Sequence, residues 1–247
     1  MINVKNIVTV LSVVALMTTT SAIADSKTEV STQQVVKKNA KKLLSNSYSY
    51  LASLQKYSFE ATVVDKVEDY DSSMTLARKS SVKIDRPSKF RVDSKSKFID
   101  RTSYLSDGKF TMIDNSEKYY ATVETKKNIN KTLEYIGRKL GIAMPLATLM
   151  RSDMTKVVKI KRVQYFGTRD VYGVECNYIA FKHKKSTVHL WIENSDTPLI
   201  RAATIITPSS GKTDIVVNWD ITPNFSDSIF VFNAPKNASN ISIIPAK

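Results

Sequence analysis

The chain is poor in the residues from which most recognisable enzyme chemistry is built. It has one cysteine, Cys176, and two histidines, His183 and His189. A single thiol excludes an intramolecular disulfide, so stability must come from packing. The same counts and spacings exclude a Cys/His zinc site. Cys176 has no base beside it in sequence and sits among alternating strand residues, which reads as a buried structural thiol rather than a nucleophile. There is no phosphate-binding glycine loop and no Gly-x-Ser-x-Gly elbow. The acidic group Glu68, Asp69 and Asp71 around Tyr70 lacks the glycine and ligand spacing of a calcium loop, and reads as a polar hairpin turn. No internal repeat, low-complexity linker or βαβ alternation is present. The expectation is therefore no catalytic residue, no metal and no cofactor.

What is present begins at the N-terminus. Lys5 lies in a short polar start, residues 7–17 are apolar, and residues 18–24 are small and polar apart from Ile23, ending Ala22-Ile23-Ala24. The apolar run is too short to span a bilayer, and the pattern is that of a secretory signal peptide cut after Ala24. No later run reaches the roughly 18 apolar residues of a membrane helix. The mature chain is expected to run from Asp25 to Lys247 as a single domain, without lipid attachment because no cysteine opens it. In a diderm bacterium its compartment is the periplasm.

The net charge is +14. That balance favours anionic partners, and export sets nucleic acid aside in favour of anionic headgroups or acidic polymers. The cations are dispersed: Lys37, Lys38, Lys41 and Lys42 on one predicted helix, Lys156, Lys159, Lys161 and Arg162 on one predicted strand, and Lys182, Lys184 and Lys185 in one turn. A solvated basic surface and peripheral contact with an anionic membrane are the two readings.

After a polar leader at 25–32, Val36, Ala40, Leu43, Leu44, Leu51 and Leu54 recur at helical spacing, predicting an amphipathic helix over 33–55. Strand alternation follows in Phe59, Ala61 and Val63, in Val82 and Ile84, and in Phe90 and Val92. Asp107-Gly108 marks a tight hairpin. Ile129, Leu133, Ile136 and Leu140 predict a second helix, with Asn128 as its cap and Gly141 past its end. Val158, Ile160, Val163 and Tyr165 predict a strand bulged after Arg162. Further strands are expected at 174–182, 187–193, 199–207, 213–221 and 228–232. About ten strands and two helices make an α+β chain, mainly β. A large antiparallel sheet must curl, and its concave face needs covering by the helices.

The segment 142–150 is too apolar for an ordinary surface loop. Ile142, Met144, Leu146, Leu149 and Met150 are either plain core or a lid over a ligand cavity. Trp191 and Trp219, on late strands, are the aromatic candidates for the same cavity.

A set of stations in order along the chain carries a family resemblance. They include Arg86-Pro87 before Phe90-Arg91-Val92, Asp107-Gly108-Lys109, Tyr119-Tyr120-Ala121, Pro145 within 141–146, Cys176 within 174–181, Leu190-Trp191-Ile192, Pro198-Leu199-Ile200-Arg201, and Asn218-Trp219 with Phe230 and Pro235. The chain resembles a secreted bacterial predicted periplasmic protein family of unknown function, related by fold to the outer-membrane lipoprotein carriers and receptors (LolA and LolB). The resemblance implies a curved antiparallel sheet forming an incomplete barrel, closed by a long N-terminal helix and a mid-chain helix. In the carriers the hollow receives acyl chains; none of their ligand-contacting residues is carried over. The expectation is a periplasmic binding or carrier protein for a lipid, lipoprotein or other amphiphile. The alternative is an envelope sensor or scaffold that binds a protein partner through the same fold.

Overall fold

The computed structural model describes residues 25–69, 72–142, 144–158, 160, 162–208 and 211–243, with side chains from residue 39 onward other than those of Glu68, Asp69 and Ser72. The segment read as a signal peptide, 1–24, lies outside the described residues, as do Tyr70 and Asp71 of the acidic turn. The described residues from Val36 onward form one compact unit, and those before it belong to a separate one.

Helix α1 spans Asp25–Ser53, so it takes in the polar leader that precedes the predicted start at residue 33. Nothing between Asp25 and Thr32 is a glycine or proline, and a helix has no cause to start later. Within the larger unit, Ala40, Leu44, Tyr48 and Leu51 of α1 are buried at helical spacing.

The strands are β1 (Lys56–Asp69), β2 (Ser72–Asp85), β3 (Lys89–Ser96), β4 (Asp100–Ser106), β5 (Lys109–Asp114), β6 (Tyr119–Glu124), β7 (Val163–Val171), β8 (Val174–His183), β9 (Ser186–Glu193), β10 (Ile200–Thr207), β11 (Gly211–Asp220) and β12 (Ser239–Asn240). They form one sheet in the order β12-β6-β5-β4-β3-β2-β1-β11-β10-β9-β8-β7. Two antiparallel meanders, β1–β6 and β7–β11, are thus joined through β1 and β11, and only β12 runs parallel to its neighbour. The sheet is a curved, incomplete barrel, with β12 and β7 at its open ends.

Two-residue turns set the register. Asp107 and Gly108 have φ of 53° and 78°, and Tyr172 and Gly173 have 53° and 80°, which match the twist of the flanking strands. Between the meanders lie α2 (Ile129–Lys139) and two single turns, α3 (Ala147–Met150) and α4 (Met154–Val157). The Asn128 side chain caps α2 by accepting from the Lys131 N–H. Gly141, at φ 67°, releases the chain, and the Ile142 N–H closes back on the Ile136 carbonyl at 3.0 Å.

Three elements differ from the sequence reading. The strand expected from Val158 starts at Val163, because residues 154–157 take a helical turn; Lys156 lies in that turn, and Lys159 and Lys161 are outside the described residues. The bulge falls between Tyr165 and Thr168, where Gly167 at φ 83° accommodates the extra residue, and not after Arg162. Residues 227–230 form a 3-10 turn instead of a strand. Phe230 is fully buried there, and Phe232 packs on Tyr104 and Tyr120, at 5.6 and 4.9 Å, over the outer face of the first meander.

Candidate functional site: two chambers beneath a shared segment

Period-two geometry puts Tyr57, Phe59, Ala61 and Val63 of β1 on the same inner face as Ile215, Val217 and Trp219 of β11. Across β2–β5 the pairing arranges this inner face in rows. The innermost row is Ile84, Phe90, Leu105 and Phe110, all fully buried. The next is Val82, Val92, Ser103 and Met112. The third is Ser80, Ser94, Arg101 and Asp114, and Arg78 opposite Ser96 lies one step further. Polarity therefore rises in steps of two residues, about 7 Å, along the strands.

The segment 141–150 lies over this face. Its turns are closed by Ala147 N–H to Met144 carbonyl and Leu149 N–H to Leu146 carbonyl, both 3.0 Å. Its far end is held by the buried Tyr57 hydroxyl, which donates to the Leu149 carbonyl at 2.9 Å and accepts from Arg86 Nη2 at 2.8 Å. Beyond it, Arg151 grips Asp153 through two contacts of 2.8 Å, and Asn130 of α2 pairs with Ser152. Leu146, Leu149 and Met150 are buried, whereas Ile142 and Met144 are half-buried.

Two chambers flank the segment. The first, of about 360 Å³, has the rows from Val92 and Met112 out to Arg78 and Arg101 as its floor, and Ile142, Met144, Leu146 and Met150 as its roof. The second, of about 320 Å³, is mostly apolar: Tyr48 of α1, Phe181, Leu190, Ile205 and Val217 line it with Leu149 and Met154, and Arg151, His183 and Ser186 also reach it. Pro145 and Leu146 belong to both walls. Each volume falls in the range of roughly 300–1,000 Å³ usual for small-molecule sites. Burial pushes the Tyr48 phenol up to about 12.

The five candidates of 142–150 are thus brought together, and the two tryptophans are not. Trp219 is a core residue: it packs on Phe59 at 4.8 Å and donates from Nε1 to the Ile200 carbonyl at 2.9 Å, and it lines neither chamber. Trp191 faces away from both chambers. Its neighbours Leu190 and Ile192 are buried inward, so alternation sends Trp191 to the opposite face, where it stacks on Tyr178 at 4.8 Å. Arg78, Arg101 and the serine rows escape sequence reading, because only strand pairing sets them side by side. The one available signal was the passage from Arg78 and Ser80 to Val82 and Ile84 along one strand.

The Cys176 thiol is fully buried, lies opposite Glu193 in the ladder, and is pushed up to about 11, mainly by burial. His189 is engaged through Nδ1 with the Tyr178 hydroxyl at 2.8 Å.

No curated protein matches the chain in sequence. Among similar solved structures, an uncharacterized conserved protein from Thermus thermophilus has a TM-score of 0.50 at 10% identity, covering 83% of this chain and 99% of its own. LprF from Mycobacterium bovis has a TM-score of 0.47 at 12% identity, over 82% and 98%. The LolA superfamily protein NE2245 from Nitrosomonas europaea has 0.42 at 8%, over 78% and 97%. A family model described as "Predicted periplasmic protein (DUF2092)" matches residues 40–244, and the chain belongs to that family.

Proposed function

We propose that the protein is a periplasmic binding or carrier protein for a lipid or other amphiphile, not an enzyme. The observation that carries this reading is the pair of chambers, about 360 and 320 Å³, under one apolar segment on the inner face of the sheet. A chamber lined by Phe181, Leu190, Ile205 and Val217 offers an alkyl chain about 0.8 kcal/mol per buried methylene. Residues 142–150 act as the lid. Export follows from a signal peptide cleaved after Ala24, which leaves a single mature domain beginning at Asp25. The dispersed lysines favour passing contact with an anionic membrane surface.

Native mass spectrometry of gently purified protein, paired with uptake of an apolar fluorescent probe, tests the reading. Co-purified lipid or saturable probe binding supports it. A ligand-free protein that takes up no probe overturns it. N-terminal sequencing of the exported protein is expected to begin at Asp25; a sequence that begins at Met1 contradicts the processing.

A further inference from the structure

We infer that the first chamber is a headgroup subsite, and that the ligand is an anionic single-chain amphiphile, a long-chain carboxylate or phosphate monoester, recognised by Arg78 and Arg101. The inference rests on the proposed binding function and specifies its ligand. Three observations carry it.

The first is the polarity gradient. The inner face passes from the fully buried Ile84–Phe90–Leu105–Phe110 row to the polar row of Ser80, Ser94, Arg101 and Asp114 within two steps of the strand pleat. A site for a purely apolar molecule has no use for charged groups in its lining, and Arg78 and Arg101 are the charged residues that line this chamber.

The second is the state of the two guanidinium groups. Arg78 is in contact with Asp65 at 3.5 Å, and Arg101 donates from Nε to Asp114 at 3.1 Å. In each pair the arginine meets Oδ2, while Oδ1 serves other donors: that of Asp65 accepts from Thr213 at 2.6 Å, and that of Asp114 from the Ser116 and Glu117 N–H groups at 3.1 Å each. A guanidinium has five donors, so among the described residues each arginine keeps several for a ligand. Arg78 is mostly buried, with 18% of its side chain exposed, whereas half of the Arg101 side chain is open to solvent. One cation is therefore built into the chamber and the other stands at its rim.

The third is geometry. Arg78 on β2 and Arg101 on β4 are separated by β3 and one row, so their roots are about 12 Å apart and two long side chains can converge on one anion. The apolar roof, Ile142 and Met144, faces that floor, and Pro145 and Leu146 lead on to the second, apolar chamber. An anion on the arginines and a chain running beneath the segment fit the order of surfaces.

The test measures binding of dansylaminoundecanoic acid, its methyl ester and inorganic phosphate to the purified protein. The acid is expected to bind roughly tenfold more tightly than the ester, as one charge-assisted interaction provides. The preference should survive Arg101→Lys and fall to parity in Arg78→Gln/Arg101→Gln. Equal binding of acid and ester by the unsubstituted protein overturns the headgroup assignment and leaves the amphiphile reading standing. Binding of neither overturns both. Displacement of the acid by inorganic phosphate at equal affinity shows a free-anion site and overturns the amphiphile assignment. If the double variant fails to fold, the acid-to-ester ratio of the unsubstituted protein still decides.

Discussion

Replacing Tyr57 by phenylalanine removes one oxygen from the floor beneath the lid segment and leaves the ring in place. That oxygen donates to the Leu149 carbonyl at 2.9 Å and accepts from Arg86 Nη2 at 2.8 Å. Tyr57 is fully buried, so water cannot take over either bond, and burial keeps its phenol well above the ordinary range and protonated. Arg86 retains its Nε contact with the Leu54 carbonyl at 3.0 Å and its position over the ring at 5.3 Å. The loss is one hydrogen bond to a charged donor and one neutral bond, together about 2–4 kcal/mol. For a chain of this size Tm should fall by roughly 5–15 °C. Circular-dichroism melts and guanidinium unfolding measure the change, and the m-value should not move, because the exposed surface is the same. Since the Leu149 carbonyl is freed, probe binding should speed up in both directions. An unchanged Tm would refute the claim that this hydroxyl holds the segment to the sheet.

Leu149→Ala should cost about 2–5 kcal/mol, because the side chain is buried against the core, as thermal melting would register. Met144→Gln, half-buried in the roof of the first chamber, should weaken probe binding with little change in Tm; an unaltered affinity argues against a lid. Cys176→Ala should leave ligand binding intact, and the native thiol should resist iodoacetamide at pH 8 until denaturant is added, given a pKa of about 11 and full burial. Burial alone would raise Asp114, but the Glu117 and Ser116 N–H groups and Arg101 outweigh it and hold the carboxyl below its ordinary 3.8. Ionised Asp114 therefore stabilises the fold fully above pH 3.8, and that contribution disappears as pH falls through the lowered value. Melting curves below pH 4 should accordingly show a smaller acid loss in Asp114→Asn than in the unsubstituted protein.

Local signals in the sequence were sound where one residue type has one physical use. Asn128 does cap α2, Gly141 does take a positive φ, and Asp107-Gly108 does turn a hairpin. Alternation placed Phe59, Ala61 and Val63 on the core face correctly. The scattered stations of family resemblance are met by the family match over 40–244. Failures came where spacing was shared by two structures. Phe230 and Phe232 are spaced like strand residues, but they anchor a 3-10 turn and the tail after it, for want of a pairing partner. Trp191 is aromatic and on a late strand, but Leu190 and Ile192 claim the inner face. The first chamber's floor was not legible at all. Arg78, Ser94 and Arg101 lie on three strands, and only long-range register makes them neighbours.

Pro145 and Leu146 stand in the walls of both chambers. A partition common to two compartments cannot shift without changing the capacity of each. On the proposed binding function, occupancy on one side would thus be a mechanical input to the other, and two short molecules would compete for room while a single long one would not. The wall also has unequal mountings. At one end it hangs from Gly141, a backbone pivot at φ 67°; at the other it is pinned through the Leu149 carbonyl to a buried phenol. On the proposed binding function, a hinge on one side and a latch on the other would confine any travel to a swing about Gly141, which would make the polar compartment, beside the pivot, the doorway and the apolar one, behind the latch, the store.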